Sequence, residues 1–377
     1  MPGPFAKSRH PARDLAALET LAVEVLFGPA AAEKFSSGKL PNSLLSPYAD
    51  ALKKLSQNYV APRTRSLKEI SAKIEAEAYA LYFLPINFAK FDFLLRQAEL
   101  EISFIRSVLD LGCGPGTATM AGLAAGLSGA VVCAVDHSRQ MREIAAKLLP
   151  HWNTTGNEIQ ITESVPRNRH FDLIMAGNVL GELSLDEQFS QLMSLASSLG
   201  EGGILIVLEP ALMANTRNLM HLRDLILRSD TQLCPLFPCT RKDDCPMYSQ
   251  STNEWCHGAL RWKEPSLVKQ LDHLTGFNKH RIKYSALILC RGGSLKSGYR
   301  VVAPPKKSKR GRTLRLCGPG YYGERVLAGK DRTASNKPFE RAQLYDRIQI
   351  EIVSEESDGS ELEAAIGAEC LVRLEED

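Results

Sequence analysis

The stretch that decides the fold is Val108-Leu-Asp-Leu-Gly-Cys-Gly-Pro-Gly-Thr117. Residues 105–111 are rich in leucine and β-branched side chains, which favour a strand, and residues 117–127 favour a helix. Glycine has no Cβ and tolerates a positive φ, so three alternating glycines let the backbone pass close to a ligand at the end of a strand. The order of strand, glycine turn and helix therefore predicts a binding loop for a nucleotide or nucleoside.

The glycine spacing is G-x-G-x-G, with Asp110 two residues before the first glycine, and it differs from the dinucleotide fingerprint. This loop resembles the nucleoside-binding loop of class I S-adenosylmethionine-dependent methyltransferases. Asp136 ends the next apolar run, where a carboxylate can accept hydrogen bonds from ribose hydroxyls. Another Rossmann-like nucleotide site is the alternative. The predicted cofactor-binding residues are Asp110, Gly112, Gly114, Gly116, Thr117, Asp136 and His137.

Strand and helix patterns alternate along the central part of the chain. This alternation predicts an α/β fold with a doubly wound, mainly parallel sheet, in which ligands bind outside the carboxyl ends of the strands. The predicted strands are residues 105–111, 130–135, 157–162, 171–176, 203–208 and 281–291. The predicted helices are residues 117–127, 138–149, 186–199 and 213–229.

Four segments with different composition are predicted along the chain. Residues 1–100 show apolar spacing typical of helices, with boundaries expected at Pro41, Pro62 and Pro85. Residues 101–294 form the cofactor-binding domain, which includes a cysteine-rich insertion at residues 232–262. Residues 295–353 are expected to form a small, basic, β-rich domain, with Lys306, Lys307, Lys309, Arg310 and Arg312 in its loops. Residues 354–377 form an acidic tail without a fixed structure.

The charge distribution indicates a polyanionic partner. Residues 296–347 hold 14 lysines and arginines against four acids, and residues 351–377 hold ten acids against one base. A basic segment beside an acidic tail favours nucleic-acid binding, although a solvated surface alone can carry such charge. No apolar run reaches the length of a membrane span and no secretory signal is recognised, so we expect a cytoplasmic protein. In that reducing setting its nine cysteines are not expected to form disulfides.

Residues 232–262 lack the periodicity of a core-forming segment but carry four cysteines. Their spacing is C-x4-C-x5-C-x10-C, whereas structural zinc usually uses pairs separated by two to four residues. Two of these cysteines precede proline, as in some iron–sulfur sites. The pattern favours a 4Fe–4S cluster, with zinc or unligated thiols as alternatives. The predicted metal ligands are Cys234, Cys239, Cys245 and Cys256.

The acceptor side of the predicted methyltransferase carries a weak signal. Methyltransferases that act on the exocyclic amine of a base often have Asn or Asp followed by two prolines and an aromatic residue after the fourth strand. Asn178 stands at this place without those neighbours. Asn178 is therefore the predicted catalytic residue because its amide can bond a base edge, while a purely structural bond within the turn is the alternative.

Together these motifs resemble the predicted rRNA methyltransferases associated with the small ribosomal subunit, which are known as assembly factors in mitochondria and occur in bacteria. The resemblance spans residues 105–347 and includes Val179-Leu-Gly-Glu-Leu183, Leu208-Glu-Pro210, the cysteine segment and Leu314-Arg-Leu-Cys-Gly-Pro-Gly320. It implies a class I fold, a 4Fe–4S cluster on the four predicted cysteines, and binding to small-subunit rRNA rather than to DNA or a membrane. The implied function is S-adenosylmethionine-dependent RNA methylation during subunit assembly. A noncatalytic rRNA-binding assembly factor and a small-molecule methyltransferase are the alternatives.

Overall fold

The computed structural model describes residues 11–36, 38–60, 72–97, 102–230, 232–309, 311–352, 366 and 370–375. The chain divides into two compact units. Unit one comprises Met1–Glu209 and Leu260–Tyr284, and unit two comprises Pro210–Ala259 and Ser285–Asp377. This division groups most of the cysteine insertion with the C-terminal segment, whereas the predicted boundaries group it with the cofactor-binding domain.

The elements up to the unit boundary at Glu209 are four N-terminal helices followed by alternating strands and helices. They are α1 Pro11–Phe27, α2 Pro29–Ser36, α3 Asn42–Val60, α4 Lys73–Gln97, β1 Ser107–Leu111, α5 Thr117–Ala124, β2 Val131–Val135, α6 Arg139–Trp152, β3 Glu158–Thr162, β4 Phe171–Gly177, α7 Leu185–Ser197 and β5 Leu199–Glu209.

The remaining elements are mostly strands. They are α8 Met213–Ser229, β6 Leu233–Phe237, α9 Pro246–Gln250, β7 Gly258–Arg261, α10 Ser266–Thr275, β8 Arg281–Arg291, β9 Tyr299–Val301, β10 Lys306–Ser308, β11 Gly311–Gly318, β12 Tyr321–Ala328, α11 Lys337–Arg341, β13 Arg347–Ile352 and β14 Cys370–Glu375.

The sheet of unit one is the doubly wound sheet that the sequence predicts. Its parallel strands follow the order β3-β2-β1-β4-β5. Strand β8 comes next in the order, and the first four residues of β8 belong to unit one. The strand order reverses beside β1, between β1 and β4, which is where such sheets bind ligands. All six strands and four helices predicted between residues 105 and 291 are present.

The N-terminal segment is helical, as predicted, but one of its predicted boundaries is wrong. Helix α4 runs without interruption through Pro85. A proline inside a helix costs about 3 kcal/mol because it removes one backbone hydrogen bond and crowds the preceding turn. Here Leu84, Ile86 and Phe88 are each at most 2% exposed, so burial on all sides of the helix outweighs that cost. Pro62 and residues 98–100 lie outside the described residues.

Unit two contains a second sheet, in which the strand order is β10-β11-β9-β13-β14 and β12 pairs with β11. Its neighbours are antiparallel, and alternate residues such as Leu314 and Leu316 fill its core. Strand β14 belongs to the predicted acidic tail, which is therefore ordered at residues 370–375 because Cys370 and Val372 enter the core. Arg312, expected in a basic loop, is buried on β11 instead. Among the described helices, none is long and apolar enough to cross a membrane.

Candidate functional site

The glycine loop connects β1 to α5 in unit one and has the left-handed backbone that glycine allows. The φ angles are 66° at Gly112, 55° at Gly114 and 89° at Gly116. A Cβ at Gly112 would lie 2.3 Å from Cγ2 of Val179, and a Cβ at Gly116 would lie 2.8 Å from the Leu149 side chain. The loop is therefore fixed by packing as well as by its own conformation, because two of its glycines leave no room for a side chain.

Asp110 holds the start of α5 against the end of β1. Its Oδ2 accepts hydrogen bonds from the Thr119 backbone N–H at 2.9 Å and from the Thr119 hydroxyl at 2.7 Å. Burial raises the pKa of Asp110 to about 6, although the bonds from Thr119 oppose that rise. Asp110 thus stabilises the loop that a cofactor would contact, and its carboxylate is already engaged.

Asp136 joins the glycine loop to the next helix. One carboxylate oxygen accepts from the Gly114 N–H at 2.8 Å, and the other accepts from the Ser138 N–H at 2.8 Å. Ser138 in turn caps α6 by accepting from the backbone N–H of Met141. Each carboxylate oxygen has a second lone pair, so Asp136 can still accept a ligand hydroxyl. His137 follows Asp136 and has an exposed side chain. All seven predicted cofactor-binding residues therefore lie in the glycine loop or directly beside it.

Thr117 provides a direct indication of a ligand. Its Oγ1 is buried and has no hydrogen-bond partner among the described residues. Thr117 is the first residue of α5, and its own backbone N–H donates to the Cys113 carbonyl at 3.2 Å. A buried hydroxyl without a partner costs free energy unless a ligand or water satisfies it. The loop therefore fits a polar ligand group at this point.

Asn178 begins the turn after β4 and adopts a φ of 59°, which few residues other than glycine accept. Its backbone N–H donates to the Leu208 carbonyl at 2.7 Å. Glu209 fixes the same turn, because its carboxylate accepts from the N–H groups of Leu180 at 2.9 Å and Gly181 at 3.3 Å. The backbone of Asn178, the predicted catalytic residue, is thus held in place by the end of β5.

Helix α4 supplies polar residues that sequence reasoning missed. The hydroxyl of Tyr79 accepts from Nδ2 of Asn87 at 3.1 Å, and the Tyr79 ring lies 3.9 Å from the Cβ position of Gly114. The Lys90 ammonium donates to Oδ1 of Asn87 at 3.0 Å, and burial lowers the pKa of Lys90 to about 7. The only sequence signal is a set of polar residues in an otherwise apolar helix, and it does not say which strand ends the helix covers.

A second candidate site lies within unit two. Cys239, Cys245, Cys256 and Cys317 line one cavity of about 50 Å³. Three of these cysteines belong to the predicted ligand set, and Cys317 comes from the end of β11. The cavity wall is otherwise mostly apolar, with Met220, Met247, Val302 and two buried arginines, Arg223 and Arg300.

Cys234, which belongs to the predicted set of four ligands, does not line this cavity. It is fully buried on β6 and pairs with Cys290 of β8 across two antiparallel strands. The strand keeps the Cys234 side chain in a sheet environment, where the Cys290 thiol lies beside Gly293. Sequence spacing placed Cys234 with Cys239, but the strand and the turn after it separate them.

Three of the four cavity thiols have raised pKa values. Burial and then repulsion from neighbouring thiolates raise the pKa of Cys245 to about 11 and the pKa of Cys317 to about 12. The same two causes raise the pKa of Cys256 well above its usual range. Four thiolates at this place therefore need positive charge to compensate them, which a metal centre provides.

One unpartnered polar atom belongs to a residue of the cavity wall, and two belong to chain neighbours of its cysteines. Nε of Arg223, Oγ1 of Thr240 and Nε1 of Trp255 are buried without a hydrogen-bond partner among the described residues. Thr240 follows Cys239 in the chain, and Trp255 precedes Cys256. Because buried polar atoms are rarely left unpaired, this concentration fits a polar or ionic group among the thiols.

Comparison with solved structures gives several distant similarities. The magnesium protoporphyrin IX methyltransferase of Synechocystis PCC 6803 is 12% identical, with 66% of this chain and 96% of that chain covered and a TM-score of 0.36. An O-methyltransferase family protein from Burkholderia thailandensis is 14% identical over 67% and 70% of the two chains, with a TM-score of 0.38. The plantazolicin methyltransferase BpumL is 12% identical over 74% and 97%, with a TM-score of 0.36. At such identities and TM-scores these similarities say nothing of the ligand or substrate of this chain.

No curated protein matches the chain. A protein family described as "Mitochondrial small ribosomal subunit Rsm22" matches residues 73–348, which is well over half of the chain. The matched range begins with α4 and ends in β13, so it contains the glycine loop, the Asn178 turn and all four cysteines of the cavity. The chain therefore belongs to the Rsm22 family.

Proposed function

We propose that this protein is an S-adenosylmethionine-dependent methyltransferase that acts on the small ribosomal subunit, with rRNA as its substrate. The observation that carries the cofactor assignment is the unpartnered Thr117 hydroxyl at the start of α5, beside the glycine loop and Asp136. The family description supports the subunit as partner. The basic composition of residues 296–347 supports RNA as the part of the subunit that is bound.

S-adenosylmethionine supplies an activated methyl group, so the protein has to bind the cofactor, align the methyl group with the acceptor atom and exclude water. The glycine loop provides a close approach for the methionine portion, and Thr117 offers a hydroxyl for one of its polar groups. Asp136 has free lone pairs for ribose hydroxyls. Asn178 lies at the acceptor side, where the Leu208 carbonyl and the Glu209 carboxylate fix the backbone of its turn. Positioning of this kind can supply much of the reduction in a methyl-transfer barrier.

We also propose that the cysteine cavity holds a 4Fe–4S cluster on Cys239, Cys245, Cys256 and Cys317. Such a cluster supplies thiolate bonds that tie distant segments together, and a one-electron couple. Among the described residues, no three or more His, Cys, Asp or Glu side chains are arranged to hold a single metal ion. The choice of a cluster over zinc rests on the cysteine spacing, which lacks the close pairs that structural zinc usually uses.

Isothermal titration of the full chain with S-adenosylmethionine tests the cofactor assignment. The wild-type protein should bind, and Asp136→Ala should weaken binding at least tenfold, because it removes the ribose acceptor and the bond to Gly114. The control is Asp186→Ala, which removes an exposed carboxylate at the start of α7 and should leave binding unchanged. Absence of binding to the wild-type protein, or equal affinities of all three proteins, would contradict the assignment.

A noncatalytic rRNA-binding factor is the second candidate, and one observation favours it. Val179-Leu-Gly181 follows Asn178 instead of the prolines and aromatic residue of base-amine methyltransferases. Radiolabelled S-adenosylmethionine with small subunits from a deletion strain separates the two candidates. Transfer of label to rRNA that fails with Asn178→Ala supports catalysis, whereas salt-sensitive rRNA binding without transfer supports the second candidate.

A further inference from the structure

Arg223 on α8 is a buried cation whose guanidinium lines the cysteine cavity. Its side chain is only 3% exposed. Nε is the one nitrogen of this guanidinium without a hydrogen-bond partner among the described residues. Because buried donors are rarely left unpaired, this Nε–H is available to a group that fills the cavity.

The other two nitrogens of the guanidinium fix its position on the cysteine loop. Nη1 donates to the Asp243 carbonyl at 2.5 Å and to the Lys242 carbonyl at 3.3 Å, and Nη2 donates to the Arg241 carbonyl. These carbonyls lie between Cys239 and Cys245, so Arg223 holds the loop that carries two of the thiols. The loop is therefore organised by protein contacts that do not involve sulfur.

Asp224, the next residue on α8, has the opposite charge to Arg223 and contacts the same loop. Its Oδ1 accepts from Nη1 of Arg223 at 2.7 Å, and its two oxygens lie 3.0 Å from the Cys245 N–H. Asp224 has a side chain that is 5% exposed. Besides Arg300, the cavity wall thus has the buried positive charge of Arg223, and the adjacent residue of the same helix carries a buried negative charge.

We propose that Arg223 donates its Nε–H to a sulfur atom of the proposed cluster and, through its positive charge, raises the reduction potential of that cluster, while Asp224 lowers it. Reduction adds one negative charge, which a nearby cation stabilises and a nearby anion destabilises. Both charges are shielded from water, so their influence is larger than that of exposed charges. This inference rests on the proposed cluster and assigns roles to residues that are not metal ligands.

The test uses the full chain, purified without air, and follows reduction by dithionite with electron paramagnetic resonance. Arg223→Gln should make the potential more negative, and Asp224→Asn should make it less negative. The matched control is Arg228→Gln on the same helix, because Arg228 pairs with Asp244 and both side chains are more than half exposed. That variant should keep the wild-type potential, since water screens its charge. Iron and acid-labile sulfide are measured for every protein.

The two opposite shifts distinguish an electrostatic role from a structural one, because damage to the loop would lower the iron content of both variants without opposite shifts in potential. If Arg223→Gln loses iron, Arg223→Lys is measured in its place; it keeps the charge but lacks Nε–H, and a smaller negative shift is expected. If both Arg223 variants lose iron, the sign of the Asp224→Asn shift decides. Unchanged potentials in the variants that hold iron would overturn the proposal. Wild-type protein without iron and sulfide would instead overturn the proposed cluster.

Discussion

Gly112→Ala separates the two constraints on the glycine loop. The new methyl group would meet Cγ2 of Val179 at 2.3 Å while the backbone keeps a φ of 66°. A left-handed φ costs a non-glycine residue roughly 1–2 kcal/mol, and overpacking a rigid β-branched neighbour costs about 1–3 kcal/mol. We therefore expect Gly112→Ala to lower the free energy of unfolding of unit one by about 2–5 kcal/mol. The Asn178 turn should be displaced too, because Val179 adjoins it.

The matched control for this prediction is Gly129→Ala. Gly129 has a nearly equal φ of 64°, and a Cβ there would meet nothing within 4 Å. It should therefore cost only the conformational part, roughly 1–2 kcal/mol. The difference between the two variants measures the steric contact with Val179, and Val179→Ala combined with Gly112→Ala should recover that difference in a double-mutant cycle.

Urea unfolding followed by tryptophan fluorescence measures these costs, because Trp152 and Trp262 lie in unit one. Trp255 of unit two is replaced by phenylalanine in every protein compared, so that the signal reports on unit one. Equal costs of Gly112→Ala and Gly129→Ala, or a double variant that recovers nothing, would refute the steric reasoning.

Three further predictions concern buried groups outside the loop. Burial raises the pKa of Glu19 to about 7, although its carboxylate accepts from the α10 N–H groups of Leu267 and Val268. As the pH rises from about 4.5 to 7, the unfolded state releases the Glu19 proton before the folded state does. The wild type should therefore lose stability relative to Glu19→Gln over this range, by on the order of 3 kcal/mol. Thermal unfolding across that range measures this loss, and the exposed Glu24→Gln on the same helix should show no such trend. The lowered pKa of Lys90 has the opposite effect on stability. Below pH 7 Lys90 is protonated in both the folded and the unfolded state, and between about pH 7 and 10.5 it is protonated only in the unfolded state. The stability of the wild type should therefore rise with pH over this range relative to Lys90→Met. A flat difference between wild type and Lys90→Met would contradict that burial. Finally, Cys317→Ser should abolish iron binding measured after anaerobic purification, whereas Cys234→Ser should retain it; the reverse result would restore the ligand set predicted from spacing.

Short-range pattern was sufficient for much of the fold. The alternation of strands and helices between residues 105 and 291 predicted the parallel sheet, because a period of two or 3.6 residues is a local property. The glycine loop, Asp136 and the turn at Asn178 could be placed at one sheet edge for the same reason. Each follows a parallel strand, and parallel strands present their carboxyl ends together.

The sequence by itself determined which chemistry is available, namely a glycine loop with two acids and more cysteines than a metal centre needs. Only the tertiary structure decided which of these residues meet. Cys317 follows Cys256 by 61 positions, and the antiparallel pairing of β11 with its neighbours brings it to the cavity, while β6 keeps Cys234 in the sheet. Packing around α4 likewise overrode Pro85 and placed Tyr79 against the glycine loop. Such contacts depend on the summed burial of many distant side chains, which no local pattern encodes.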